Sequence, residues 1–368
     1  MIDVQADRYA RQVRLPEVGL AGQERLAASS VLVIGAGGLG SPALTYLAAA
    51  GVGRLGVVDP DRVEASNLHR QTIYGAGDVG RRKTDAAAAR LRGSNPEVEI
   101  DEYSVRFGPK NAEEILEGYD LVLDGTDTFA TRYLVNDMSV RMGIPNVYAS
   151  VSQFDGQASV FGAPKGPCYR CLFPEPPPVG LIPNCAEGGV LGVLPGLLGT
   201  IQATEALKLL LGIGEPLVGR LLVMDALTME VRVFSIDRDP ACPACGAGAS
   251  LPPSSLPTPM ASVPEITVQD LKARLDGEDP PFVLDVREPD EYEAANLGGA
   301  LIPLGQLPDR LDEIRDHQHD EVVVHCRSGG RSARAVELLR ANGFDNAVNL
   351  KGGIHAWSDE IDPSLPKP

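Results

Sequence analysis

No stretch of this chain has the ~18 consecutive apolar residues that a membrane-spanning helix requires, so no membrane partner is expected. The N-terminus, Met1-Ile-Asp-Val-Gln-Ala-Asp-Arg8, lacks the pattern of a secretory signal, which predicts a cytoplasmic protein. A basic excess is missing too: 33 Lys and Arg face 50 Asp and Glu, a net charge of −17. A nucleic-acid surface needs a basic stripe, so nucleic acid is not an expected partner. The acidic excess serves solubility and still permits a local cationic pocket for a nucleotide. Six cysteines in 368 residues do not make a disulfide framework. No internal repeat is visible.

What is present is an alternation of strand and helix patterns. Residues 31–35 (Val-Leu-Val-Ile-Gly) read as a buried strand, Ser41–Ala50 as a helix and Leu55–Asp59 as the next strand. Helices over 81–92, 111–117 and 130–142 then alternate with strands over 97–105, 120–124 and 146–151. This predicts a doubly wound α/β unit with a mostly parallel, Rossmann-like sheet. After Gly162 the pattern changes. Residues 174–195, rich in proline and glycine, read as a mobile crossover loop, followed by a helix over Leu197–Leu211 and a hairpin through 217–236. Residues 246–264 read as a low-complexity linker and 265–358 as a second, small α/β domain with a tail over 359–368. Residues 265–368 hold 21 acidic against 11 basic residues, so most of the net negative charge lies there.

Gly35-Ala-Gly37-Gly38-Leu-Gly40 is a G-x-G-x-x-G run between a strand and a helix, and Asp59 ends the next strand. Glycines allow close backbone approach to phosphate, the helix N-terminus favours its charge, and the acid can bond ribose hydroxyls. Alone this pattern suggests a nicotinamide dinucleotide. The residues beyond Asp59 depart from it. Asp61, then Ser66-Asn67-Leu-His-Arg70-Gln71, then Arg81-Arg82-Lys83 bring carboxylate, amide and cations beside the phosphate loop. Asp124-Gly-Thr-Asp127-Thr128 adds a second acid at the C-terminal end of a strand. This set suits ATP with Mg²⁺: cations on phosphates and a hard carboxylate on the metal. Arg70 and Lys83 are the expected phosphate cations; for Arg81 and Arg82 a solvated helix face is the better reading.

Cys168-Tyr-Arg-Cys171 and Cys242-Pro-Ala-Cys245 are two C-x-x-C knuckles. Their pairing predicts a closed, structural Zn²⁺ site with four thiolate ligands; free or redox dithiols are the alternative. Cys185, in Pro183-Asn-Cys-Ala-Glu-Gly-Gly-Val190, stands alone, and its chemistry fits a transferring thiol and a buried inert one equally. Cys326 closes the strand Glu321-Val-Val-Val-His-Cys and opens Arg327-Ser-Gly-Gly-Arg331-Ser332, where a helix begins. Loop N–H groups and a helix N-terminus depress a thiol pKa and make a nucleophile. His325 points away from Cys326 on the strand and is expected buried rather than acting as a base.

Several motifs occur in one order: Arg8-Tyr9-x-Arg11-Gln12, GAGGLGSP, DPDRVEASNLHRQ, Gly80-x-x-Lys83, Asp124-Gly-Thr-Asp127, Gly156-Gln157 and Pro167-Cys-Tyr-x-Cys171. Over roughly 1–245 the chain thereby resembles the ubiquitin-activating-enzyme-like family, which includes MoeB and ThiF. The resemblance implies adenylation of the C-terminal glycine of a ubiquitin-like sulfur carrier with a Gly-Gly tail, of MoaD or ThiS type. It implies ATP held by Gly38, Asp59, Asp61, Asn67, Arg70 and Lys83, beside Ser66. Asp127 would hold Mg²⁺ or orient the reacting phosphate, with Thr128 a weaker contact where the family more often has Asn or Ser. Arg11 would reach the partner subunit's site, so a homodimer is implied. The four knuckle cysteines match the family's zinc site, and Cys185 matches a cysteine that forms a thioester or an acyl-disulfide in some members.

Residues 265–358 are similar to a rhodanese domain. The carriers of that likeness are Asp285-Val-Arg287-Glu288 with Glu291-Tyr292, Cys326-x-x-x-x-Arg331, and Leu350-Lys-Gly-Gly353-x-x-x-Trp357. The C-x4-R ring is smaller than the C-x5-R loop of protein phosphatases and fits one extra sulfur atom. Arg287 is expected to pair with Asp285 or Glu288. Ala295-Asn-Leu-Gly-Gly-Ala300 departs from the usual Gly-His-Ile-x-Gly-Ala.

Together these features imply an adenylyltransferase fused to a sulfurtransferase. A Cys326 persulfide would convert the carrier's acyl-adenylate to a thiocarboxylate, with Cys185 resolving the acyl-disulfide. The sulfur donor would be a cysteine desulfurase or thiosulfate. Molybdopterin, thiamine, cysteine and tRNA-thiolation pathways all use such a product. One alternative is a thioester-forming activator of a ubiquitin-like modifier, with the rhodanese domain as a docking module. A nicotinamide oxidoreductase is a weaker one, because no nicotinamide-side acid–base pair is visible.

Overall fold

The computed structural model describes residues 8–177, 189–249, 263–277 and 280–366. They form two compact units, one built on 8–176 with 189–249 and the other on 263–277 with 280–366. Cys185 and most of the expected linker lie outside the described residues.

The first unit holds an eight-stranded sheet of order β3-β2-β1-β4-β5-β6-β7-β8. The strands are β1 Ser30–Ile34, β2 Arg54–Val58, β3 Glu99–Tyr103, β4 Leu121–Asp124, β5 Asn146–Ser152, β6 Asp155–Phe161, β7 Arg220–Asp225 and β8 Glu230–Ser235. Strands β1 to β5 run parallel, while β6, β7 and β8 add antiparallel. The helices are α1 Ala10–Val13, α2 Gly19–Ala27, α3 Gly40–Ala50, α4 Lys83–Ser94, α5 Ala112–Leu116, α6 Phe129–Met142, α7 Tyr169–Leu172 and α8 Val193–Leu211.

Every residue of β1 is buried, as a central parallel strand covered on both faces must be. Its side chains alternate between two cores. Val31 and Val33 pack with Leu44, Leu47, Leu91 and Leu211 of α3, α4 and α8. Leu32 and Ile34 face Ile115, Leu134 and Met138 of α5 and α6. Helix α8 begins one turn before the expected Leu197, with Pro195 in its first turn, where a missing N–H costs nothing. Buried Gln202 on α8 donates to the carbonyls of Asp124 (2.7 Å) and Val147 (3.0 Å), fastening the helix across β4 and β5. Among the described residues no helix is long and apolar enough to cross a membrane.

The second unit is a five-stranded parallel sheet of order β11-β10-β12-β13-β9. Its strands are β9 Glu265–Ile266, β10 Phe282–Asp285, β11 Ala300–Leu301, β12 Val322–His325 and β13 Ala347–Leu350. Its main helices are α9 Val268–Leu275, α10 Pro289–Ala294, α11 Gly330–Ala341 and α12 Gly353–Glu360. Helix α12 continues past Ser358, and the segment beyond it packs back: Ser358 Oγ donates to the Leu365 carbonyl at 2.8 Å.

Candidate functional sites: a nucleotide cavity, a thiol cluster and a cysteine loop

A cavity of about 310 Å³ opens at the C-terminal ends of β1, β2 and β4, where open parallel sheets bind ligands. Gly38, Asp59, Asp61, Arg70, Lys83, Asp127 and Thr128 all line it. The glycine run is dictated by packing as well as by ligand access. A Cβ on Gly40 would lie 1.9 Å from the Gly35 carbonyl oxygen, so only glycine lets the loop fold back on the start of α3.

Asp59 clamps this loop. Its Oδ2 accepts the Ala36 N–H and its Oδ1 the Asp61 N–H, both at 2.9 Å. Burial pushes the Asp59 carboxyl up, and the Lys83 ammonium opposes that shift. Lys83 Nζ sits 3.0 Å from Asp61 Oδ2 and 3.6 Å from Asp59 Oδ1. Arg70 is held over the cavity by the Ser66 carbonyl at 3.0 Å and by His69 Nε2 at 2.8 Å. Asp127 and Thr128 follow β4. The Thr128 hydroxyl caps α6 by accepting the Thr131 N–H at 3.4 Å.

Three expected residues do not line the cavity. Asn67 is buried beneath it, where its Oδ1 accepts the Glu64 N–H at 3.2 Å and shapes the turn that carries Arg70. Ser66 is exposed and contributes its carbonyl to Arg70. Arg11 is exposed on the short helix α1.

The cavity also uses buried Gln71, which the sequence motif already placed there, and residues that sequence reasoning passed over: Arg106 and Phe107 after β3, and Arg132 on α6. Arg132 is 7% exposed, gives one N–H to the Thr126 carbonyl at 3.2 Å, and has an Nε with no partner. A buried guanidinium with unspent donors suits an incoming anion. Its signal was available in the spacing: Arg132 stands one helical turn after Thr128, on the same face. Beside it Asp124 is fully buried, with Oδ1 bonded to Thr126 and burial pushing its carboxyl up.

The Sγ atoms of Cys168, Cys171, Cys242 and Cys245 all lie within 4.8 Å of one another. Cys168 to Cys242 is 3.5 Å, Cys171 to Cys245 is 3.4 Å and Cys168 to Cys171 is 3.9 Å. A tetrahedral ion with ~2.3 Å metal–sulfur bonds needs sulfur separations of roughly 3.8 Å, so the four thiols fit such an ion. Burial pushes the Cys168 thiol up, and the neighbouring sulfurs add to that shift. Four crowded thiols, two of them buried, are what a structural cation would occupy.

In the second unit Cys326 directly follows β12 and is 1% exposed. The Gly329 N–H points at its sulfur at 3.2 Å, and the Ser332 hydroxyl lies 3.4 Å away. Gly329 has φ +98°, a conformation that lets the loop turn its amide inward. The N-terminus of α11 follows directly. Arg331, the last residue of the ring, forms a bidentate pair with Glu291 at 2.6 Å on both arms, and this bond holds the Glu291 carboxyl below its usual range. Arg287 is fully buried and pairs with Asp285 at 2.6 Å, not with Glu288; it also donates to the Ala295 carbonyl. It fastens β10 to the α10 segment and does not touch the sulfur loop's rim. His325 is fully buried, and burial lowers its imidazole to about 4, so it is neutral. It is no base for Cys326.

Residues 9–244 match the ThiF family and residues 267–360 match the rhodanese-like domain. The chain belongs to the ThiF family. It is similar to the probable adenylyltransferase/sulfurtransferase MoeZ of Mycobacterium tuberculosis, 44% identical over 97% of this chain and 94% of the relative. It is 41% identical to the Bos taurus adenylyltransferase and sulfurtransferase MOCS3, over 98% of this chain and 87% of that one. The Thermus thermophilus sulfur carrier protein adenylyltransferase is 57% identical over 65% of this chain and 90% of its own. Among solved structures, Escherichia coli MccB with MccA-N7isoASN superposes with a TM-score of 0.59 at 21% identity, over 65% of this chain and 74% of that one. That last likeness concerns the fold alone. As a ThiF-family protein with a rhodanese-like domain, the chain is an adenylyltransferase and sulfurtransferase.

Proposed function

We propose that the first unit adenylates the C-terminal glycine of a ubiquitin-like sulfur carrier protein and that the second delivers sulfur to it. The observation that carries this reading is the convergence of Lys83, Arg70, Arg132 and Asp127 around one glycine-lined cavity. A carboxylate is a poor electrophile. Its attack on the α-phosphate of ATP expels pyrophosphate and leaves an acyl-adenylate, whose AMP departs readily. Cations fixed at the cavity wall neutralise charge that grows on the phosphates, and positioning supplies the rest. Lys83 and Arg70 take the phosphates, and Asp59 retains lone pairs for a ribose hydroxyl. Asp127 would hold Mg²⁺, which supplies further charge neutralisation when bound. The four thiols would hold Zn²⁺ as a structural ion, and exposed Arg11 would reach the cavity of a second copy in a homodimer. The chain then divides into residues 1–245, a connection over 246–264, the sulfur domain over 265–358 and a tail.

In the sulfur step a Cys326 persulfide anion attacks the acyl carbonyl, forms a carbon–sulfur bond and releases AMP. The product is an acyl-disulfide. A thiolate, which we assign to Cys185, then attacks the Cys326 sulfur and frees the thiocarboxylate. A disulfide remains, to be reopened by an external thiol reductant. Gly329 N–H, Ser332 and the α11 N-terminus stabilise the anion on sulfur.

The test combines the protein, a Gly-Gly-tailed carrier, Mg²⁺-ATP and thiosulfate, with sulfide excluded. Intact mass should show one oxygen of the carrier replaced by sulfur. Full thiocarboxylation by Cys326→Ala would refute the role of Cys326.

A further inference from the structure

We propose that Asn349 and Glu265 are positioning residues for the sulfur step: together they decide whether the Ser332 proton faces the Cys326 sulfur or is held away from it. The inference rests on the sulfur-transfer reading of Cys326.

Ser332 Oγ lies 2.7 Å from Asn349 Oδ1 and 3.4 Å from Cys326 Sγ. Cys326, Ser332 and Asn349 are 1%, 0% and 2% exposed, so the choice is made among these groups rather than by bulk solvent. A hydroxyl has one proton and donates to one acceptor at a time. With a neutral thiol the short contact wins, and the proton sits on the Asn349 carbonyl oxygen. A thiolate or persulfide anion is the stronger acceptor, because a charge-assisted hydrogen bond outweighs a neutral one. The hydroxyl then turns toward sulfur.

That turn leaves Asn349 Oδ1 facing a bare oxygen lone pair. The amide relieves this by rotating to offer Nδ2–H to Ser332, which makes a continuous donor chain ending on sulfur. Glu265 resists the rotation. Its Oε1 accepts Asn349 Nδ2 at 3.3 Å, and a flipped amide would present oxygen to that carboxylate. The backbone gives no slack. Asn349 and Glu265 are register partners of β13 and β9, and the Asn349 N–H donates to the Pro264 carbonyl at 2.7 Å. The strand through which the chain enters the second unit therefore acts as a brake on its nucleophile.

The experiment uses the full chain and follows Cys326 alkylation by iodoacetamide through peptide mass, alongside persulfide loading from thiosulfate. Glu265 is exposed, and Glu265→Ala removes the acceptor without opening the core. It should alkylate about three- to tenfold faster than wild type, the span of one hydrogen bond. Its persulfide loading should rise in kcat at constant KM. Glu265→Gln can meet the flipped amide with its own N–H and should accelerate alkylation as Glu265→Ala does, whereas the wild-type carboxylate, which only accepts, holds the amide in place. In a Ser332→Ala background Glu265→Ala should change nothing. An unchanged or slower rate in Glu265→Ala, or the same acceleration without Ser332, overturns the proposal. Alkylation does not depend on sulfur transfer. Acceleration without any persulfide at Cys326 would therefore refute the sulfur reading and leave the positioning chain standing.

Discussion

Asp137 and Arg170 form a doubly bonded ion pair, 2.7 and 2.8 Å, with both side chains buried. Asp137 sits on α6, whose N-cap Thr128 and first-turn residues Thr131 and Arg132 lie at the nucleotide cavity. Arg170 sits between the first two cysteines of the thiol cluster. Next to the pair, Asn136 Oδ1 accepts the Tyr169 N–H at 2.7 Å. One helix thus fastens the thiol cluster at its middle and presents the cavity wall at its start.

Breaking this pair from one side leaves a charge stranded in the interior. Asp137→Ala should cost about 3–5 kcal/mol of stability in a denaturant titration. Replacing both partners with apolar residues of similar size should cost much less. Pyrophosphate exchange should fall with Asp137→Ala even under conditions where the chain stays folded, because the start of α6 loses its anchor.

Lys83 has two duties, and one substitution should reveal both. Lys83→Met should reduce carrier-dependent ATP–pyrophosphate exchange by about 10²–10³, the usual effect of removing a fixed charge from a transition state. It should also alter the pH dependence of stability. Burial already raises the Asp59 carboxyl, and Lys83 opposes that shift. Without Lys83 the folded pKa climbs further above the unfolded value of about 3.9. An acid with a raised folded pKa binds protons on folding, so stability falls as pH rises between the two values. The variant should therefore lose most, relative to wild type, above that window, and recover toward pH 4. Thermal melts across pH 4–8 check the sign.

The phosphate loop, the strand-end acids and the knuckle cysteines were legible because each carries its own local signature: a G-x-G-x-x-G run, an acid closing a strand, a C-x-x-C spacing. GAGGLG needs only the strand before it and the helix after it. Arg106 and Phe107 were not, since they reach the cavity from another crossover connection and only the sheet order brings them there, whereas Arg132 was legible in its spacing, one turn after Thr128 on the same helix. Asn67 and Ser66 were legible as part of the site but not in their roles, which are to shape and hold Arg70 rather than to line the cavity. The early start of α8 was hidden by Pro195, which breaks a helix interior but not a first turn. Likewise the choice of Asp285 over Glu288 by Arg287 follows from burial, which adjacency in sequence does not convey.

Glu291 should act as the support of the sulfur ring. Its bond to Arg331 holds the carboxyl below the ordinary range, with both side chains 20% exposed. A depressed folded pKa contributes stability above the unfolded value of about 4.3, and that contribution is lost as pH falls through the folded pKa. Glu291→Gln should therefore cost about 1 kcal/mol at pH 7, given partial solvent screening, and nothing at a pH below the folded value. Denaturant midpoints followed from pH 7 downward check this: the gap between variant and wild type should close as acid protonates the carboxyl. Persulfide loading at pH 7 should also slow, as Arg331 loses the partner that fixes the ring.

Metal withdrawal should separate the two units. The thiol cluster belongs wholly to the first unit, while Cys326 is held by its own loop amide, Ser332 and the α11 N-terminus. Treatment with a strong chelator at a pH where thiols compete poorly for protons should release one divalent ion per chain. It should lower the melting transition of the first unit by at least ~10 °C, on the scale of 2–4 °C per kcal/mol for a unit of this size and the large binding energy of four-thiolate sites. Pyrophosphate exchange should fall in step, because the cluster reaches the cavity through Arg170, Asp137 and α6. Sulfur loading on Cys326 from thiosulfate should persist. Calorimetry would resolve the two transitions, and loss of both together would show that the thiol cluster supports more than the unit that contains it.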